Sequence, residues 1–210
     1  GLGRTATIML ERDIASYVGV DQDVDAVTRA QSVVGSRGTV VNASAESTGL
    51  ERGSAQVVVG EAMLTMQGEK GKRAIIAEAF RLLEPGGLYA IHELGLTPDT
   101  IDAELADQLR KRLAKTIRVN ARPLTRREWC GLLEESGFDI EWVRTEPMAL
   151  LSMRRNLADE GFGGVFRILR NVVRDRDLRH RVLEMRRTFN EYRDNLTGIA
   201  IIARKPDGSV

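Results

Sequence analysis

The chain has 210 residues, 42% of them hydrophobic and 29% charged, with a formal net charge of +1. That length carries one domain with a substantial core, and the near-neutral balance excludes a long-range field that would gather nucleic acid or an anionic membrane. No apolar run approaches the roughly 20 residues that cross a bilayer, and the lone Cys130 excludes an internal disulfide and a cysteine-rich zinc site. A reducing, cytoplasmic setting fits that single thiol.

The chain opens GLGRTA, two glycines spaced G-x-G, and runs into a helix expected from Thr5 to about Arg12. SYVGVD, Ser16 to Asp21, reads as a short strand ending in an acid. Asp23 is placed to cap the next helix, where Val24, Val27, Ala30 and Val34 are spaced for one buried face. GTVVNASAE and SAQVVVGEAM each read as a strand followed by a loop. The unbroken Val57, Val58 and Val59 predict a strand covered on both faces. A helix over 70–83 puts Ile76, Phe80 and Leu83 on one side and stops at EPGG, Glu84 to Gly87, before the strand LYAIHEL. Alternation of this kind predicts an α/β fold: a doubly wound, Rossmann-like, mostly parallel sheet with helices on both faces.

Thr97-Pro98 is expected to start a longer helix running to about Val119. Thr125 and Glu128 make a capping box, T-x-x-E, for a helix carrying Trp129, Leu132 and Leu133. Gly137 closes it, and FDIEWVRTEP is the next strand. An Arg-rich helical stretch from Met153 to about Leu196 then leads to the final strand, GIAIIARK. Residues 1–210 are expected to form a single domain, with 153–196 a helical insertion between the last two strands.

Two features carry chemistry. G-L-G-R-T-A matches G-x-G-x-x-[G/A], and Asp21 lies about 20 residues downstream, where an acid meets a ribose hydroxyl in nucleotide-binding sheets. Glycines there let the backbone approach a ligand without a Cβ clash. The pattern suits NAD as well as it suits S-adenosylmethionine, and Asp21 also fits a plain helix cap. The second feature is His92 with Glu93, at the carboxyl end of a strand, where ligands bind in such sheets. A hydrogen-bonded core histidine is the competing reading of His92, as a solvated loop acid is of Glu61. Met63 and Met66 read as pocket lining or core.

NASAESTGL, AFRLLEPGGLYAIHE, EWCGLLEESGFDIEWV and GIAIIARK together break the tie. On these segments the chain resembles the class I S-adenosylmethionine-dependent methyltransferases over nearly its whole length. The resemblance implies a seven-strand sheet whose last strand is antiparallel, and S-adenosylmethionine as cofactor with S-adenosylhomocysteine as product. It makes Gly1 and Gly3 the last two glycines of the cofactor loop and Asp21 the ribose carboxylate, with Gln22 beside the adenine. Ala45 and Glu46 fall near the adenine, and VVVGEAMLTM, with Glu61, passes the methionine end of the cofactor. Ser44 stands where the family commonly has an adenine-reading aspartate, which shifts that role toward Glu46 or a backbone N–H. The family's first strand, its acid and its first glycine would precede Gly1, so a segment upstream is expected.

Methyl transfer from a sulfonium is an in-line displacement that needs positioning and exclusion of water. The acceptor is expected to be a small molecule rather than nucleic acid, and no metal is expected. For a hydroxyl, phenol or enol the candidate general bases are His92 and Glu93; for an anionic acceptor, Arg154, Arg155 or Arg167 would pair with it. The 153–196 helices read as a lid or as the pairing element of a homodimer. A nicotinamide-dependent oxidoreductase explains the glycine loop and Asp21 equally well but not the PGG segment. A non-catalytic nucleotide- or nucleic-acid-binding module built on the Arg-rich helices is the other alternative, and the near-neutral charge counts against RNA.

Overall fold

The computed structural model describes residues 3–117, 119–147 and 176–208. The chain begins with α1 (Arg4–Leu10), β1 (Val18–Asp21), α2 (Val24–Val34) and β2 (Thr39–Asn42). Gly3 precedes α1 at φ +82°, a conformation that L side chains rarely adopt, so the entry to the helix requires glycine. Asp23 caps α2 as expected, its Oδ1 accepting from the amides of Asp25 at 2.9 Å and Ala26 at 3.4 Å. The buried face of α2 differs from the expected one: Ala26, Ala30 and Val34 carry it, and Val24 is 62% exposed. Val24 lies two residues, about 200°, around the helix from Ala26. β1 and β2 pair in parallel from Val18↔Thr39 to Asp21↔Asn42, and Ala6, Leu10 and Val34 form a small core against Tyr17 and Val40.

The larger sheet follows. It contains β3 (Ala55–Glu61), β4 (Leu83–Leu96), β5 (Leu124–Thr125), β6 (Asp139–Pro147) and β7 (Leu196–Arg204), in the order β3-β4-β7-β6 with β5 on the end of β4. β3 and β5 run parallel to β4, while β7 is antiparallel to both β4 and β6. The mixed α/β sheet and its antiparallel last strand match expectation. Its continuity does not: among the described residues no ladder joins β1 to β3, so β1 and β2 stand as a separate pair. The valine run is a correction of the same origin. Among the described residues β3 is an edge strand whose ladder runs to β4 alone, and Val57 and Val59 are 50% and 41% exposed rather than covered.

The main core lies between one face of this sheet and the helices α3 (Glu69–Leu82) and α5 (Arg126–Glu134). Tyr89 and Ile91 of β4 and Ile199, Ile201 and Ala203 of β7 meet Ile75, Ile76 and Ala79 of α3 and Trp129, Leu132 and Leu133 of α5. The period of two along the strands and of 3.6 along the helices puts these residues on facing sides. The capping box of α5 is formed: Thr125 Oγ1 accepts from the Glu128 amide at 3.2 Å and Glu128 Oε2 from the Thr125 amide at 2.7 Å. EPGG does more than end a helix. α3 stops at Leu82, β4 already begins at Leu83, and Gly86 sits at φ +77° within the excursion before the ladder resumes at Leu88.

A second core joins α4 (Ala103–Ile117) to α6 (Arg176–Glu191), with Leu109 and Leu113 packed near Phe189, Leu96 and Leu196. α4 starts later than Thr97-Pro98 because Asp102 is its opening acceptor, taking the amides of Glu104 at 2.9 Å and Leu105 at 3.0 Å. Of the expected insertion over 153–196, the part before 176 lies outside the described residues, and α6 packs on α4. No helix of the described residues is long and apolar enough to cross a membrane.

One buried polar cluster fixes the segment between β2 and β3. Glu78 of α3 accepts from the Thr48 amide at 2.9 Å, Thr48 Oγ1 at 2.5 Å and Arg81 Nε at 2.7 Å, while Arg81 also reaches the Leu50 carbonyl. The Arg81 guanidinium, with Thr48, holds the Glu78 carboxyl down at about 2 from its ordinary 4.5. An acid depressed in the folded state gives stability above its unfolded pKa and loses it as pH falls through the folded value. Glu78→Gln is therefore expected to cost up to about 3 kcal/mol at neutral pH. Chemical unfolding at pH 7 and pH 2 checks this, since the difference between variant and native protein shrinks as the pH drops from 4.5 toward 2.

Candidate active site

Asp21 closes β1 as a half-exposed carboxylate whose Oδ1 accepts from the Asp23 amide at 2.9 Å. Its carbonyl takes the Ala43 amide at 3.0 Å and the Asn42 side-chain amide at 3.1 Å, which ties the ends of β1 and β2 together. Gly3 does not pack against this end; it lies on the C-terminal half of α2. A Cβ there would lie 3.1 Å from Val33 Cβ and 3.3 Å from Ala30 Cα, so the loop fits against α2 only without a side chain. Ala45 is partly buried against the main core, and Glu46 and Gln22 are exposed beside it in sequence and at the end of β1 respectively. Ser44 Oγ accepts from the Glu46 amide at 3.3 Å and so serves its own loop.

β3 ends at Glu61, which the register pairs with His92. β4 runs on to Leu96, so His92 and Glu93 lie within the strand rather than at the carboxyl end expected from the sequence. His92 Nδ1 lies 3.9 Å from Glu61 Oε1, and the two side chains are 63% and 48% exposed. His92 is thus no core histidine; strand alternation turns it outward between the buried Ile91 and Glu93. Thr5 Oγ1 of α1 donates to Glu61 Oε2, which links the glycine turn to the end of β3.

Glu93 has a different environment from His92. It is 3% exposed, and its Oε1 accepts from the amides of Met63 at 3.0 Å and Leu64 at 2.8 Å. Oε2 accepts from the Thr65 amide at 2.9 Å and Thr65 Oγ1 at 2.6 Å. The two oxygens thus share four donors, and burial removes Glu93 from any ligand at the strand ends. The sequence placed His92 and Glu93 together as candidate bases; in the fold they point to opposite faces of β4. Met63 packs on the core and Met66 is exposed.

Lys72 is the residue that sequence reasoning missed. It is 2% exposed, donates to the carbonyls of Gln67 at 2.7 Å and Arg122 at 3.0 Å, and lies 5.5 Å from the centre of the Trp129 ring. Burial pushes its ammonium down to about 8, against the opposing pull of Glu93. A lysine on an amphipathic helix reads as solvated face, so no sequence signal marked it. Gly1, Arg154, Arg155 and Arg167 lie outside the described residues. Among the described residues no group of three or more His, Cys, Asp or Glu is placed to hold a metal ion.

Asp21 ends β1, Glu61 ends β3 and Glu46 lies in the loop after β2; acids of this kind suit a ligand with hydroxyls and positive charge better than a diphosphate, which carboxylates repel. A nucleoside sulfonium has that chemistry. A family model described as "Methyltransferase domain" matches residues 1–87. An uncharacterized protein of Haemophilus influenzae is 33% identical over 207 residues, covering 96% of this chain and 80% of its own. Among solved structures, a Galdieria sulphuraria protein assigned as a sarcosine dimethylglycine methyltransferase superposes with a TM-score of 0.76 at 16% identity, over 99% of this chain and 76% of that one. A geranyl diphosphate methyltransferase in complex with S-adenosylmethionine superposes with a TM-score of 0.70 at 13% identity, over 98% and 75%. At such identities the solved structures speak for the fold.

The fold is that of an α/β enzyme, a mixed sheet with helices around it. The chain belongs to the class I S-adenosylmethionine-dependent methyltransferases. Its cofactor is S-adenosylmethionine, and its substrate is a methyl acceptor.

Proposed function

We propose that the acceptor is a small molecule carrying an ionisable O–H, with His92 the general base that takes its proton. The observation that carries this reading is the Glu61–His92 pair, 3.9 Å apart where the end of β3 lies beside β4, with both side chains open to solvent. S-adenosylmethionine, when bound, supplies an activated methyl group on a cationic sulfur. Glu61 orients the imidazole through Nδ1, leaving Nε2 to receive the acceptor's proton. Asp21 holds the ribose hydroxyls, Gly3 and the outlying Gly1 let the backbone come close, and Gln22, Ala45 and Glu46 flank the adenine. Glu93 takes no part as a base, because its lone pairs are engaged. The lone thiol of Cys130 supports a cytoplasmic setting. A homodimer formed through residues 153–196 completes the reading.

The test is transfer of labelled methyl from S-adenosylmethionine to phenols and enols, to amines, and to RNA. Label in O–H acceptors supports the proposal; label confined to RNA or to amines overturns it. Asp21→Ala is expected to weaken S-adenosylhomocysteine binding at least ~5-fold, about 1 kcal/mol, because a charge-assisted hydrogen bond is lost. Unchanged affinity by calorimetry would leave Asp21 only a turn-forming residue.

A further inference from the structure

Two buried charges of opposite sign brace one loop. Glu93, on β4, gathers three successive amides, those of Met63, Leu64 and Thr65, together with the Thr65 hydroxyl. Lys72, on α3, holds the far end of the same loop through the Gln67 carbonyl and joins it to the Arg122 carbonyl. The Thr65 carbonyl takes the Arg122 amide at 2.7 Å, and Thr65 Oγ1 takes the Leu94 amide at 3.2 Å. The loop therefore has no freedom to slide along the end of β4.

What stands just before the gathered amides gives the bracing its consequence. Ala62 sits at φ +51°, a left-handed conformation costly for an alanine, and its amide donates to the His92 carbonyl at 2.8 Å. Glu61 is its immediate neighbour. Three amides reach one carboxylate only if the chain turns sharply at Ala62, so Glu93 sustains the conformation that aims Glu61 at His92. Released from Glu93, Ala62 relaxes toward negative φ and Glu61 leaves its place.

We propose that Glu93 is a positioning residue: its carboxylate fixes the loop from Ala62 to Thr65 and thereby sets the Glu61 side of the cofactor pocket, with Lys72 as the counter-charge that anchors the loop's other end. The inference rests on the methyltransferase reading for the identity of the ligand, but not for the hold on the loop. Glu93→Gln preserves shape while putting an NH2 group where only acceptors fit.

The experiment has two readouts on native protein and Glu93→Gln. One is calorimetric titration with S-adenosylhomocysteine; the other is amide exchange of residues 62–66 in the free protein. Expected are a 10-fold or greater loss of affinity and exchange at Met63, Leu64 and Thr65 faster by 10-fold or more. Phe189→Leu, a change in the second core, outside the cluster that holds Met63 and Leu64, should lower the melting temperature without moving either readout. Thr65→Val, which removes one of the four donors, should give a smaller shift in the same direction, and it replaces Glu93→Gln if that variant does not fold. Affinity within two-fold of native and unaltered exchange would overturn the proposal. If the native protein binds no S-adenosylhomocysteine, the cofactor assignment fails, and the exchange arm alone then decides the role of Glu93.

Discussion

Exchanging His92 for asparagine is expected to lower kcat by roughly 100- to 10,000-fold, the span that a positioned general base contributes, while S-adenosylhomocysteine affinity stays within two-fold. The separation follows from geometry. His92 is the outward residue of β4 between buried neighbours, and its backbone carbonyl, not its ring, receives the Ala62 amide. Removing the imidazole therefore leaves the loop and the strand pairing intact. Glu61 would remain on β3, still bonded to Thr5, without the ring it faces at 3.9 Å. Single-turnover methylation of an O–H acceptor reads the loss in the chemical step; an unchanged rate would mean that the acceptor needs no base.

The largest effect on stability is expected at Trp129. Its side chain is fully buried, its indole N–H donates to the Leu94 carbonyl at 3.2 Å, and the Lys72 ammonium lies over its ring. Trp129→Ala opens a cavity where α5 meets the sheet and leaves a carbonyl and a buried ammonium each short of a partner. Loss of a buried aromatic costs about 3–5 kcal/mol. With roughly 2–4 °C per kcal/mol at this chain length, the melting temperature should drop by about 6–20 °C. Trp129→Phe keeps most of the volume and should cost less than half as much. Equal losses for the two variants in denaturant unfolding would show that the cavity is not the cause.

What was legible in the sequence was whatever depends on neighbours along the chain. The capping box at Thr125, the Asp23 cap and the glycine turn before α1 all formed where local pattern put them, and the antiparallel direction of the last strand came from the family resemblance. The places of Asp21 and Glu61 were legible for a similar reason, since each closes a β-rich run, whereas β4 runs on past His92 to Leu96. Misreadings arose where partners far apart in sequence decide. Val57 and Val59 look doubly covered by composition, yet edge position leaves them open. Glu93 and Lys72 look alike on paper to any catalytic acid and any surface lysine. Only the fold shows that one meets a loop about 30 residues away and the other a carbonyl 50 residues away.

The proposed donor site, at the carboxyl ends of β1 and β3 beside His92 of β4, would hold a cationic nucleoside. Calorimetric titration of the protein with S-adenosylhomocysteine, NAD and NADP tests it most directly. The account predicts micromolar affinity for S-adenosylhomocysteine, weakened by Asp21→Ala, and no measurable heat with either dinucleotide. Micromolar binding of NAD or NADP with none of S-adenosylhomocysteine would contradict it.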